Sequence, residues 1–443
     1  MTSPAPDAAT MTTVAAAVRR RVTRDSLWLT SGYAATSLSG FAFWMLAALW
    51  IPQGAVGVEA SRLAIVMAAA ALASNGPGSA LVVMLPLGGR AAWAALRRAC
   101  VTTAALGALF GAVGGVVVAT ALPTSAPPAA TVAGISLCTV AWALFNTQAQ
   151  ALAGASDARG TLLINGAANV VKLGLLALLV YGEPRMPQPL VTATIVPAAA
   201  AAALSIAVLV PRALHRQESE HPTGRTWDRA LGRTFRVFVA QNAAAVGFVM
   251  CAGLSLSFFV TTLASPAEGA IFAIAYQFSV ALDLVGVGVA TALARSAAAH
   301  YDSSAGLARG YAVKIACVVG LLGAAATLAT PVLFFVVGRD YPPLYGMAVV
   351  GVLAIASTIR PGYDIWSALV RARHRVRPVL CGNAVYVVIL LALVFALVPT
   401  LGALGAAIAV ACGALALAAI GSVGLHHVRD TRSRTLGPEG APA

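Results

Sequence analysis

Apolar runs of twenty or more residues recur from one end of this 443-residue chain to the other, and that feature leaves few folds open. Each run is long enough to cross ~30 Å of hydrocarbon at ~1.5 Å per residue. Inside lipid a backbone amide finds no water, so a crossing segment must satisfy itself as a helix or join a closed barrel. Barrel strands alternate apolar and polar residues over about ten positions, and no segment here does so. The chain is therefore expected to be an all-α polytopic membrane protein. Its composition agrees: with 59% hydrophobic and 10% charged residues, it lacks the charge to clothe a soluble globule of this length.

Twelve spans are expected, at 27–51, 62–86, 97–122, 130–152, 160–181, 190–210, 238–263, 269–294, 311–338, 345–369, 379–398 and 401–424. Short connections rich in Pro and Gly separate them, such as Pro52-Gln53-Gly54, Pro342-Pro343 and Pro399-Thr400. The arginines set the orientation. Both tails and every second loop are basic, holding 24 of the 29 Lys and Arg residues, while the alternate loops hold only Arg185 and Arg339. By the positive-inside rule both termini face the cytoplasm. This distribution also accounts for the net charge of +14 without a nucleic-acid partner. The reading divides the chain into a cytoplasmic N-terminal tail (1–26), a first six-helix lobe (27–210), a cytoplasmic linker (211–237), a second six-helix lobe (238–424) and a cytoplasmic C-terminal tail (425–443). The first run is too long for a signal peptide and is taken as a span. A faint internal echo supports the division: Pro52 precedes a span ending in Gly76-Pro77-Gly78, and Pro266 precedes one ending in Gly286-Val287-Gly288.

Function must then reside in the helices, where an ionisable side chain is costly unless it meets a partner or a wet cavity. Apart from Arg97, Arg98 and Lys314, which stand at the basic ends of their spans and are counted with the loops, five lie within the expected spans: Arg62, Lys172, Asp283, Arg360 and Asp364. Lys172 sits about 14 Å from the outer end of span five by helical rise, too deep for easy snorkelling, and shares a face with Asn165 and Asn169. Span four carries a similar stripe with Thr139, Trp142, Asn146 and Gln150. Two such stripes point to a hydrated central cavity in which Lys172, Arg62 and the four amides hold an anionic substrate. The blander reading is interhelical hydrogen-bond glue, and Arg62 lies near enough to the surface to snorkel.

In span ten, Arg360 and Asp364 stand at i, i+4, where a salt bridge is natural, and Pro361-Gly362 between them permits a bend. Asp283 in span eight has no basic residue at pairing distance in its own helix. These three residues are the candidates for coupling or gating by H⁺ or Na⁺, the alternative being structural pairing. The six cysteines stand singly in or beside apolar runs and read as small buried hydrophobes. No metal site, cofactor site or catalytic constellation is evident, so enzymatic function is not expected.

The chain resembles the polysaccharide flippases of the multidrug/oligosaccharidyl-lipid/polysaccharide exporter superfamily. The resemblance is carried by Asp25-Ser26-Leu27-Trp28-Leu29, Gly40-Phe41-Ala42-Phe43-Trp44, Pro52, the 76–81 stretch before Leu85-Pro86, and the 266–275 stretch from Pro266-Ala267-Glu268-Gly269 to Ala275. It implies two six-helix lobes around a central cavity, opening alternately to each side of a bacterial inner membrane. It also implies a polyprenyl-diphosphate-linked glycan as substrate, its lipid tail left in the bilayer, with membrane lipid and a coupling ion as further partners. The related lipid II flippases typically carry two more spans, which counts against the peptidoglycan precursor. A cation-exporting multidrug antiporter of the same superfamily and a major-facilitator transporter are the alternatives.

Overall fold

The computed structural model describes residues 36–155, 158–182, 188–220, 226–299, 301–338, 340–372 and 377–435. Among these residues there are helices and the turns that join them, and no strand. The arginines of the N-terminal tail and the 25–29 stretch lie outside the described residues.

The first six helices are α1 (Thr36–Trp50), α2 (Gln53–Met84), α3 (Gly89–Ala121), α4 (Pro128–Gly154), α5 (Ala158–Tyr181) and α6. Helix α6 runs through Pro189–Leu204 and a π turn at Ser205–Leu209 into Val210–Glu220. Helix α7 comprises Arg229–Asn242, a π turn at Ala243–Gly247, Phe248–Leu254 and Leu256–Leu263. Then follow α8 (Pro266–Ala299), α9 (Tyr301–Val337) and α10, which breaks between Pro343–Ile359 and Pro361–Ala372. Several begin at proline, whose missing N–H is not needed in a first turn.

Ten of these stretches are long and apolar enough to cross a membrane, the last of them the 50-residue Arg377–His426. Fifty residues are more than twice what ~30 Å of hydrocarbon needs. Gly402 resolves the excess: its φ of 58° interrupts the helix and yields α11 (377–401) and α12 (403–435). With α1 the count is twelve. Leu163, Leu321, Leu328 and Phe335, each more than 70% exposed, lie on outward helix faces where only lipid makes such exposure favourable. The chain is a multi-pass membrane protein.

In the first lobe α2, α3 and α4 pack mutually, and α6 joins α2, α4 and α5. Lipid tails are as apolar as the helices, so association rests on close packing rather than on escape from water. Helix α3 shows the device. Gly107, Gly111 and Gly115 stand four apart, and a Cβ at Gly115 would lie 2.6 Å from the Cα of Val132 on α4. In the second lobe α8 is central, against α9, α10 and the α11–α12 pair.

Two seams join the lobes. At one, α1 lies between α5 and α8, with Trp50 against Tyr181 (5.2 Å) and Phe41 against Phe278 (4.7 Å). At the other, α2 runs along α7. There Ser61 donates to the Thr261 hydroxyl and to the Ser257 carbonyl, and Gly57 touches the Pro266 carbonyl so closely that no Cβ fits. At this arginine-poor end one continuous core includes Phe43, Trp44, Val56 and Leu63 of the first lobe with Leu256, Phe272, Ile274 and Phe334 of the second. Two smaller cores lie toward the arginine-rich end. One holds Leu81, Leu85, Leu96, Leu152 and Leu214 with the start of α7. The other holds Leu282, Ile315, Ile365 and Leu369.

Several sequence expectations shift. The second span begins at Gln53, so Glu59 belongs to the helix and not to an outer loop. Arg90, Arg97 and Arg98 occupy the first turns of α3. The expected linker is largely helical, as α6 extends to Glu220 and α7 starts at Arg229. Among the cysteines, Cys317 and Cys381 are exposed and the other four half-buried, because each falls on or near a lipid-facing helix surface instead of in the core.

Candidate functional site

In the first lobe Lys172 projects from α5 toward α1. Its Nζ lies 3.8 Å from the ring centroid of Phe43, a side chain with no exposed surface. The ring's electron-rich face supplies attraction worth roughly 0.5–2 kcal/mol. Among the described residues Lys172 meets no carboxylate.

The amides divide differently from the expected stripes. Gln148, fully buried, donates to the Asn165 side chain at 3.2 Å. Gln150 instead lies against α2, its Nε2 within 2.7 Å of where a Cβ on Gly78 would sit. Asn146 and Asn169 are half-buried. So α4 meets α5 through Gln148, which is two residues, and therefore more than half a turn, away from both Asn146 and Gln150.

Arg62 has a structural engagement. Buried to 8% exposure, it donates from Nη2 to the Pro123 carbonyl at 2.7 Å, tying α2 to the α3–α4 connection. One turn earlier the buried Glu59 accepts from the backbone N–H groups of Leu190 (2.7 Å) and Val191 (3.2 Å). It thereby caps α6, whose first N–H groups have no partner within the helix. The first lobe therefore does contain a buried acid, contrary to expectation, and that acid stands beside Arg62. Lys172 is left as the cation deep in this lobe without an acidic neighbour among the described residues.

The second lobe repeats the capping device. Glu268, in the first turn of α8, accepts from Ala403 N–H at the start of α12 and from the Tyr345 hydroxyl, both at 2.7 Å. The second helix of each lobe thus caps the sixth through a carboxylate, a correspondence more specific than the Gly-x-Gly echo. Its only sequence signal was an acid near the start of the second span in each half.

Asp283, Arg360 and Asp364 converge. Arg360 Nη1 lies 3.0 Å from Asp283 Oδ2 on α8, and its Nε lies 3.6 Å from Asp364 Oδ1 on its own helix. Asp283 therefore has a cation after all, supplied by α10. Within one helix Asp283 has no basic neighbour, which is why the contact was invisible in the sequence. The break at Arg360, where Pro361 supplies no N–H, sets the angle that brings the guanidinium to α8. One turn away Ser279 and Ser357 share a hydrogen bond of 2.9 Å. Asp283 Oδ1 is buried without a hydrogen-bond partner among the described residues. Among the described residues Arg360 thus lies between two carboxylates.

No protein-family model and no curated protein matches the sequence. Solved structures do. An inward-facing multidrug resistance MATE family transporter of the MOP superfamily superposes with a TM-score of 0.62 at 13% identity, over 92% of this chain and 99% of that one. An outward-facing conformation of such a transporter gives 0.63 at 15% identity, over 93% and 96%. A MOP superfamily transporter from Pyrococcus furiosus, described as having a binding pocket of reverse polarity that suggests a different function, gives 0.63 at 16%, over 94% and 97%. At such identities the likeness is one of fold: the chain has the twelve-helix, two-lobe fold of MOP superfamily transporters.

Proposed function

We propose that this protein is an alternating-access exporter that moves an anionic, lipid-linked oligosaccharide across the membrane. In this reading the diphosphate of a polyprenyl carrier meets Lys172, with Asn165, Asn169, Asn146 and Gln150 as neutral partners around a central cavity, and both termini face the cytoplasm. The observation that carries the reading is Lys172 itself, a cation deep in a membrane lobe whose described neighbour is an aromatic face and not an acid. A desolvated ammonium attracts an anion far more strongly than one in water. Arg62 contributes less than a free cation would, because Pro123 and Glu59 already engage it.

The Asp283–Arg360–Asp364 cluster is the coupling or gating element. Binding of H⁺ or Na⁺ at its carboxylates would weaken the hold of Arg360 across α8 and α10, and Asp283 Oδ1, which has no hydrogen-bond partner among the described residues, suits such an ion. A second reading, export of cationic drugs, draws on the same carboxylates and on the multidrug transporters that share the fold.

Transport in reconstituted vesicles separates the two. Lys172→Ala should abolish flipping of a fluorescent polyprenyl diphosphate while membrane abundance stays normal, and Lys172→Arg should retain part of it. Efflux of ethidium driven by a pH or Na⁺ gradient, with no polyprenyl diphosphate transport in the wild type, would overturn the glycan reading.

A further inference from the structure

The α2–α7 seam carries a feature that the transport reading leaves unused. An apolar groove with a cavity volume of about 410 Å³ opens there between α2, α3 and α7, lined by Leu72, Leu106, Phe110, Phe235, Ala243 and Phe248. Arg236 borders it at the arginine-rich end and is exposed. Beside the lining positions on these helices stand large, exposed apolar side chains, among them Val101, Leu109 and Val113 on α3 and Val237 on α7. The groove therefore faces the bilayer rather than the interior between the lobes.

We propose that this groove is a binding site for one anionic phospholipid of the leaflet on the arginine-rich side, its acyl chain lying along α7 and its headgroup paired with Arg236. Length supports the assignment. From Phe235 to Phe248 the lining rises roughly 20 Å along α7, against about 15 Å for one leaflet of hydrocarbon, so a chain entering at Arg236 runs the depth of its leaflet. Charge supports it as well. Arg229 and Arg233 are exposed on the same stretch of α7, at the i−7 and i−3 positions from Arg236, and among the described residues Arg236 makes no salt bridge.

The other seam supplies a contrast. A similar apolar groove of about 330 Å³ lies between α1, α8 and α9, the helices that correspond to α7, α2 and α3 in the opposite lobe, and its lining includes Ser37 and Gln277 but no basic residue. Apolar seams thus belong to the architecture, while the cation belongs to one of them. The bound chain would touch both lobes and lie against the π turn at Ala243–Gly247, where the helical ladder of α7 is already loosened.

Native mass spectrometry of the full-length protein, titrated in detergent with phosphatidylglycerol or phosphatidylcholine, tests the site. The wild type should retain one phosphatidylglycerol in preference to phosphatidylcholine. Arg236→Gln should lower that preference about fivefold, the value of one arginine near an anionic headgroup, and Ala240→Trp should displace the lipid by filling the groove. Arg212→Gln, which removes an exposed arginine from α6, and Ala326→Trp, which fills the second groove, should change neither. Glycerol phosphate, a headgroup with no chain, should not compete. If Arg212→Gln lowers the preference as much as Arg236→Gln, the attraction is diffuse surface charge and the site does not exist. Retention of phosphatidylglycerol by monodisperse Ala240→Trp protein would likewise refute it.

Discussion

Replacing Arg360 with glutamine should damage the protein far more than replacing either of the carboxylates it touches. At 3.0 Å and an effective dielectric of about 20, the Coulomb attraction between Arg360 and Asp283 is roughly 5 kcal/mol before desolvation is subtracted. Losing one partner of a buried pair costs about 3–5 kcal/mol, because the remaining charge is left uncompensated. The groups here are 22% and 21% exposed, which places the expected loss near the lower end of that range. Arg360→Gln leaves two carboxylates facing one vacated position, so its loss should be the largest. Asp364→Asn leaves Arg360 its closer partner and keeps a hydrogen-bonding side chain, so it should cost less than Arg360→Gln. The double variant Asp283→Asn/Arg360→Gln should be more stable than Arg360→Gln alone, since it removes both members of the closer pair. An intrahelical Arg360–Asp364 pair would predict the opposite ranking, with Arg360→Ala/Asp364→Ala as the tolerated double. Thermal stability of the detergent-purified proteins, read by loss of the monodisperse chromatographic peak, decides between them. Equal damage from Asp364→Asn and Arg360→Gln, with Asp283→Asn silent, would refute the interhelical assignment.

Two further outcomes follow from the geometry. Single cysteines at Ser125, between α3 and α4, and at Ser219, at the end of α6, should react oppositely with a membrane-impermeant thiol reagent in intact cells, Ser125 labelling and Ser219 not; equal labelling would end the twelve-span orientation. Glu59→Ala and Glu268→Ala should each destabilise the protein by about 1–3 kcal/mol, because each leaves backbone N–H groups at the start of a sixth helix without an acceptor, and a silent Glu268→Ala would show that the caps are not equivalent.

What the sequence disclosed and what it hid differ by the range of the physics involved. Span number is a local matter of length and hydropathy, and the structure agrees with it down to the break at Pro361. Span starts moved because a membrane helix can run past the apolar stretch when its polar residues find partners: Glu59, Ser61 and Arg62 read as a loop edge, yet Glu59 and Ser61 are bonded to other helices and Arg62 to the α3–α4 connection. Rotation about the axis was hidden as well. Asn146 and Gln150 flank Gln148 by two residues, about 200° each way at 3.6 residues per turn, so choosing the wrong polar residue points the wrong face at α5. Asp283 illustrates the remaining gap, since pairing between helices 77 residues apart leaves no periodicity to detect.

The distribution of the cores says which contacts a transport cycle must break. At the arginine-poor end both lobes share one core. Side chains provide only part of that junction. At Gly57 the backbones of α2 and the start of α8 are in direct contact, and four residues on, the hydrogen bond from Ser61 to Thr261 crosses the seam. If access alternates, this contact has to open. In a background with the six native cysteines replaced, Ser61→Cys/Thr261→Cys places two sulfurs where two oxygens already touch, close enough for a disulfide to form without large backbone movement. Oxidation should then abolish vesicle transport of the polyprenyl diphosphate probe, and reductant should restore it, while each single variant remains active. Normal transport by the fully cross-linked protein would mean that α2 and α7 travel as one body, and that the opening lies at the α1–α8 seam instead.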